Sequence, residues 1–432
     1  MTETKTEPAS APVPAAPSPA PDGPLRGIVV LDLASVGPAA RCTRILADYG
    51  ATVVKVGAVP GRGVEPVRPP FYAYSGSRYL QRTAIDLKDP DGRDAFLALV
   101  AKADVVVESF RPGVVDRLGI GVEDLAAVNP SIIVCSTTGY GQNGPRSSWA
   151  GHDINYLAVG GYLATTEPRA DGGPPIPGAT IADAAGGGMQ AAMAVMAAII
   201  GRDAAAGRGS GGDAGAGGDS GGRAVGPTHL DVSIADGVLW LTSLAVDEQL
   251  ATGAPVGHGH NIITGRYACY GTYRAADGGW LAVGAIEPKF YANLCRLLGC
   301  DQWAAHQLDD DVQDKIRQDF AAAFATRDRD AWVAELAGAD TCVTPVLSVA
   351  ELVDDDQFAA RRSIVDAIGS PERDGGDPVR FRQVGPVLAG MAAPVEPIVV
   401  GDPLRSDTEH LLVDAGLTSE RIAGLRRRGV VA

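Results

Sequence analysis

The chain has 432 residues, enough for two domains with separate cores, and its 46% hydrophobic and 6% aromatic content is that of a globular protein rich in alanine. A formal charge of −15 argues against a nucleic-acid partner, because phosphate-backbone binding needs clustered Lys and Arg; a phosphorylated small ligand, served by a few local arginines, stays open. The six cysteines, Cys42, Cys135, Cys269, Cys295, Cys300 and Cys342, show no CxxC spacing, which predicts reduced thiols of a cytoplasmic protein and neither a zinc site nor a disulfide framework.

Residues 1–24 combine acids, prolines and alanines, predict a disordered tail, and lack the basic-then-apolar pattern of an export signal. Ile28–Leu33 is a continuous apolar strand, Ala39–Tyr49 a helix stopped at Gly50, and Ala51–Val56 the next strand. A Gly/Pro-rich loop holding Arg62, Arg68, Arg78 and Arg82 runs to Ile85. Asp89-Pro90 opens a second helix, with cap and first-turn proline in preferred places. Strand Asp104–Glu108 leads into the basic turn Phe110-Arg111-Pro112-Gly113 and a short helix ending near Arg117, and Ser131–Ser136 is the last strand of the series. Alternating strands and helices, with strands apolar throughout, predict an α/β domain with a parallel sheet covered on both faces. Ligands of such sheets lie beyond the strands' carboxyl ends, where Arg111 and Gly139-Tyr140-Gly141 fall.

The stretch from 151 to 188 carries the candidate chemistry. His152 and Asp153 precede the apolar run Tyr156–Gly161, and Asp183 stands before Ala184, Ala185 and three glycines. The Ala/Met-rich run Met189–Ile200 then predicts a buried helix, too short to cross a bilayer, which takes about 20 residues. An aspartate at that junction is placed to accept orphan N–H groups of the first turn, and the glycines to let another molecule approach the backbone. Taken singly, such an aspartate is more often an ordinary N-cap than a catalyst, and such a histidine more often a satisfied structural residue. Together, an imidazole, a carboxylate and backbone donors are what proton transfer next to a carbonyl requires.

Asp203–Pro227, almost purely Gly, Ala, Ser and Asp, reads as a flexible insert with no phosphate-loop pattern. A second, smaller α+β domain follows over 228–338. It begins at His229–Ser233, has a helical segment near Asp236–Gln249 and a hairpin of Tyr267–Arg274 with Trp280–Gly284, and adds helices from Glu287-Pro288, over Val312–Ala325 and over Asp328–Ala337. Residues 339–432, ending in the helical Ser406–Arg428, are expected to return to the large domain of 25–202 or to clasp a partner.

The motifs LADYGATVVKV (46–56), ESFRPGVVDRLGIG (108–121), TGYGQNGPR (138–146), AGHDINYLAVGG (150–161), VGAIEPKFY (283–291) and DTCVTPVL (340–347) resemble those of the α-methylacyl-CoA racemases, a branch of the family III CoA-transferase superfamily. The resemblance runs from about Leu25 to Val430 and has no counterpart for the N-terminal tail or the 203–227 insert. It implies a Rossmann-like parallel-sheet large domain, a small α+β domain and an interlocked homodimer in which each site joins one chain's large domain to the other's small one. It implies His152 and Asp183 as the two acid/base groups, with Glu287 supporting the histidine. Arg111 and Arg117 match positions that hold the CoA phosphates, Tyr156 matches one close to the thioester, and Gly151 counts among the CoA-binding residues. CoA is then part of the substrate, and no separate cofactor, metal, nucleic acid or membrane is expected. Branched fatty-acyl, sterol side-chain and aryl-propionyl esters all suit this chemistry. One alternative is a family III CoA-transferase with Asp183 as nucleophile; another is a non-catalytic acyl-CoA binding protein.

Overall fold

The computed structural model describes residues 18–34, 36–61, 78–207, 226–369, 379–401 and 406–432. Its largest element is a sheet of six strands: β1 (Val29–Asp32), β2 (Thr52–Gly57), β3 (Leu80–Ala84), β4 (Val105–Glu108), β5 (Ile133–Thr138) and β6 (Thr228–Ser233). All pairings are parallel and the order is β3-β2-β1-β4-β5-β6. The strands are rich in valine and isoleucine because both faces are covered. Val30, Val53, Val105 and Ile133 face the helices Gly37–Asp48 and Gln190–Ala205. Their neighbours Leu31, Val54, Val106 and Val134 face helix Pro90–Val100 and the C-terminal helices. Strand order reverses between β1 and β4, so the crevice of such a sheet opens beyond the ends of those two strands.

β3 occupies the place where the sequence predicts only loop. Leu80-Gln81-Arg82-Thr83-Ala84 has no apolar run, since an edge strand is covered on one side only. Arg78, just before it, is 1% exposed: two of its nitrogens bond the Asp48 carboxylate at 2.8 and 2.6 Å, and a third bonds the Val384 carbonyl. This arginine of the predicted loop is therefore an internal brace. Arg62 and Arg68 lie outside the described residues.

The chain divides into two compact units, one of residues 1–160, 178–240 and 357–432, the other of 161–177 and 241–356. β6 belongs to the large sheet, so residues 228–240 lie with the first unit and not with the small domain that the sequence predicts from 228. The second unit holds β7 (Tyr270–Arg274), β8 (Trp280–Gly284) and β9 (Val343–Pro345), all antiparallel. The predicted hairpin is β7–β8, turned at Gly278, whose φ of +85° favours glycine. Helices Pro288–Leu297, Gln313–Phe324 and Arg329–Leu336 close over Tyr273, Leu281, Tyr291, Phe320 and Phe324.

The return segment adds β10 (Ile364–Gly369), β11 (Val379–Val384) and β12 (Ile398–Val400) to the first unit. β12 also binds the chain's start: the Ser18 N–H donates to the Val399 carbonyl at 3.0 Å, and Ser18 Oγ accepts from the Val399 N–H. Residues 18–24 are thus held, contrary to the expected free tail; 1–17, like 208–225 of the insert, lie outside the described residues. The single helix predicted over 406–428 is two, Thr408–Asp414 and Ser419–Arg427, parted by Gly416 at φ +95° and restarted by Thr418 Oγ1 accepting the Arg421 N–H. The helix predicted over 189–200 also differs. With the turns before and after it, it is continuous over Ala182–Ala205, 24 residues, long and apolar enough by length and composition to cross a membrane. One of its faces, with Ala191, Ala192, Val195 and Ile199, packs into the core of the large sheet.

Candidate active site

β5 ends at Thr138, and the chain runs on through Gly139-Tyr140-Gly141 to His152, the residue before helix Asp153–Val159. His152 is exposed. Its N–H donates to Asn155 Oδ1 at 3.0 Å while its carbonyl accepts the Asn155 N–H, so the backbone under the imidazole is fixed. Tyr156, buried, gives its hydroxyl to the Gly151 carbonyl at 2.6 Å. A Cβ on Gly151 would stand 2.8 Å from the Tyr156 ring and 3.0 Å from the Tyr140 hydroxyl. Gly151, expected among the CoA-binding residues, and Tyr156, expected close to the thioester, are thus hydrogen-bonded to one another beside His152.

Asp183 lies inside a π-helix, Ala182–Met189, that continues into Gln190–Ala205. Such segments are rare and recur at functional sites. Two expectations are corrected. Asp183 is not an N-cap: it lies within the first turn, and its own N–H donates to Asp153 Oδ1 at 2.8 Å. The N–H of Ala184 goes to the Thr180 carbonyl at 2.9 Å, so this group is already engaged within the chain. The three glycines serve close packing of the helices around them. A Cβ on Gly187 would stand 2.6 Å from Pro38, one on Gly188 2.7 Å from the Arg41 side chain, and one on Gly237 1.9 Å from the Gly186 carbonyl oxygen. Helices Gly37–Asp48 and Ile234–Leu241 press against the π-helix at van der Waals distance, which any larger residue would prevent.

The Asp153–Asp183 hydrogen bond ties the two candidate acid/base residues together, since Asp153 is the immediate neighbour of His152. Burial, and then the Asp153 carboxylate, push the Asp183 carboxyl above its ordinary range, while Arg41 and His152 pull it back. The Tyr156 hydroxyl is pushed up to about 12, first by burial and then by Asp183, Tyr140 and Asp153. Arg41, on the helix after β1, and Asp153 are the groups here to which the sequence pattern assigns no part in the chemistry. They lie far from Asp183 along the chain, and only the fold brings them to it.

Arg111 and Arg117 flank one turn beyond β4; both are exposed and have no ion pair among the described residues. The turn is held by Glu108, 2% exposed, whose Oε2 accepts the Phe110 N–H at 2.7 Å. In the second unit, Glu287 is the exposed residue that opens helix Pro288–Leu297 without capping it. Near it, Asp340 and Cys342 hold positive φ, +53° and +52°, with the Asp340 carboxylate paired to Lys289 at 2.8 Å. Non-glycine residues in that region are uncommon and cluster at functional segments. Burial, then Glu287 and Asp340, raise the Cys342 thiol. Among the described residues, no group of three or more His, Cys, Asp or Glu is arranged to hold a metal ion.

A family model described as CoA-transferase family III matches residues 25–396. The chain is 32% identical to the alpha-methylacyl-CoA racemase of Homo sapiens over 94% of this chain and 97% of the relative. It is 28% identical to the succinyl-CoA–D-citramalate CoA-transferase of Chloroflexus aurantiacus over 95% of this chain and 99% of that one. A solved CaiB/BaiF family protein from Brucella suis superposes with a TM-score of 0.69 at 25% identity, covering 91% of this chain and 100% of its own. The match begins at Leu25, spans the large sheet and the second unit, and reaches the approach to β12, so the chain belongs to CoA-transferase family III and is an enzyme of that racemase and transferase superfamily.

Proposed function

We propose that this enzyme interconverts the (2R) and (2S) forms of 2-methylacyl-CoA thioesters by 1,1-proton transfer. The observation that carries the reading is the bond from the Asp183 N–H to Asp153, the chain neighbour of His152, with the imidazole of His152 among the charges that act on the Asp183 carboxyl. Inverting a carbon next to a thioester means removing a proton from one face and delivering one to the other. A neutral imidazole with a protonated carboxyl serves one direction, and an imidazolium with a carboxylate serves the reverse. Each positioned transfer typically contributes about 10²–10⁴-fold. The raised Asp183 carboxyl supports the role, because a proton carrier works best when its pKa approaches the operating pH. CoA enters as the handle of the substrate, with Arg111 and Arg117 as its phosphate contacts, and this chemistry calls on no separate cofactor. We further propose a homodimer in which Glu287 of the partner subunit supports the histidine. In its favour, Met189, Met193 and Ile200 make an exposed apolar stripe on the long helix, at 51, 56 and 70% exposure.

A second reading, acyl transfer to Asp183 as nucleophile, draws support from the end-to-end match to a CoA-transferase. Incubating a 2-methylacyl-CoA in D₂O separates the two. The racemase reading predicts α-deuteration and epimerisation with no acceptor acid present. Acceptor-dependent acyl exchange without α-deuteration would establish the transferase in its place.

A further inference from the structure

The helix that follows β1 presents Gly37 and then, one turn on, Arg41 to the same side. That side faces Asp183. A Cβ on Gly37, itself at φ +78°, would come within 4.0 Å of Asp183 Oδ2, and Arg41 Cβ lies against Gly188 of the same π-helix. The Arg41 guanidinium reaches Thr180, three residues before Asp183, and Nη2 donates to Thr180 Oγ1 at 2.6 Å. An arginine fastened at both ends of its side chain is a fixed charge, which carries a smaller entropy cost for acting on a neighbour than a free surface lysine does.

We propose that Arg41 is a positioning residue of this site: anchored by Thr180 on the side of its helix that faces Asp183, its fixed charge favours the carboxylate form of Asp183. The inference rests on the reading of Asp183 as the acidic member of the pair. The titratable groups that face Asp183 are Asp153 and His152 from the segment opening helix Asp153–Val159, the Tyr156 hydroxyl on that helix, and Arg41. Burial and Asp153 favour the protonated acid, and Arg41 is the first of the two groups acting against them. No motif marks Arg41, because its role arises from packing between two helices.

The test follows the titration of the Asp183 carboxyl by ¹³C NMR, its signal assigned with Asp183→Asn, beside the pH profile of α-hydrogen exchange in D₂O. Arg41→Met should raise the Asp183 midpoint by about half a unit or more and move the acid limb of kcat with it, leaving the plateau rate at higher pH within about threefold. Arg41→Lys should restore most of the midpoint. Thr180→Val, which frees the guanidinium without removing it, should give an intermediate shift and stands in if Arg41→Met does not fold. An unmoved midpoint in folded Arg41→Met or in Thr180→Val overturns the inference while leaving the role of Asp183 intact. Wild-type turnover by Asp183→Asn would remove the role of Asp183 and with it the task assigned to Arg41.

Discussion

Asp183 is half-buried beside a second carboxylate, and that placement has a thermodynamic sign as well as a chemical one. Its native pKa is raised, so ionising it opposes folding. The cost is absent below the unfolded value of about 3.9, grows as pH rises, and is complete above the native value. Asp183→Asn is therefore expected to lose epimerisation yet melt about 1–2 °C higher than wild type at neutral pH, with the gap closing as the pH falls toward 4. Thermal melts of both proteins across that range check it; a lower Tm for the variant at every pH would return Asp183 to a structural role. Tyr156 makes the complementary point. Its hydroxyl donates to the Gly151 carbonyl, which fixes the backbone one residue before His152.

At the scale of elements, the site depends on a π-helix that two other helices approach more closely than any side chain allows. Gly237→Ala should be among the most damaging small substitutions in the chain, because its methyl would fall 1.9 Å from the Gly186 carbonyl oxygen. A cost of about 1–3 kcal/mol, typical of overpacking, is expected in chemical denaturation, and a change below about 0.5 kcal/mol would contradict the packing. Gly201→Ala, where a Cβ meets nothing within 4 Å, is the control. The same contacts mark how far sequence alone carries. β1, β2, β4 and β5 are legible because a doubly covered strand must be apolar throughout, and the hairpin β7–β8 because Asp277-Gly278-Gly279 can only turn. β3 is not, since this edge strand, Leu80-Gln81-Arg82-Thr83-Ala84, lacks that pattern. His152 and Asp183 stand out by type and spacing, but the purpose of the glycines beside Asp183 does not. A GGG run serves an approaching ligand and an approaching helix alike, and only the positions of Pro38, Arg41 and Val238 decide between them.

At the scale of the whole molecule, the long helix carries a mixed burden. One face is core to the large sheet, while Met189, Met193 and Ile200 on another are exposed in the single chain, together with Trp240 at 73% exposure. Apolar area of that extent calls for a cover, and a second copy is the cover proposed here. Gel filtration should give a dimer of the 44.4 kDa chain, and Met193→Glu with Ile200→Glu should shift it toward monomer. A wild-type monomer that turns over would remove the shared site.

The pairing of His152 with Asp183 is tested most directly by giving each single enantiomer of a 2-methylacyl-CoA in D₂O to wild type, His152→Ala and Asp183→Asn, and following deuterium and configuration separately. Two bases on opposite faces predict that wild type deuterates and inverts either enantiomer. Each variant should then invert neither, retaining exchange on only the enantiomer whose α-hydrogen meets the surviving base, and the two variants should keep opposite enantiomers. Inversion persisting in either variant, or both variants exchanging the same enantiomer, would contradict the account.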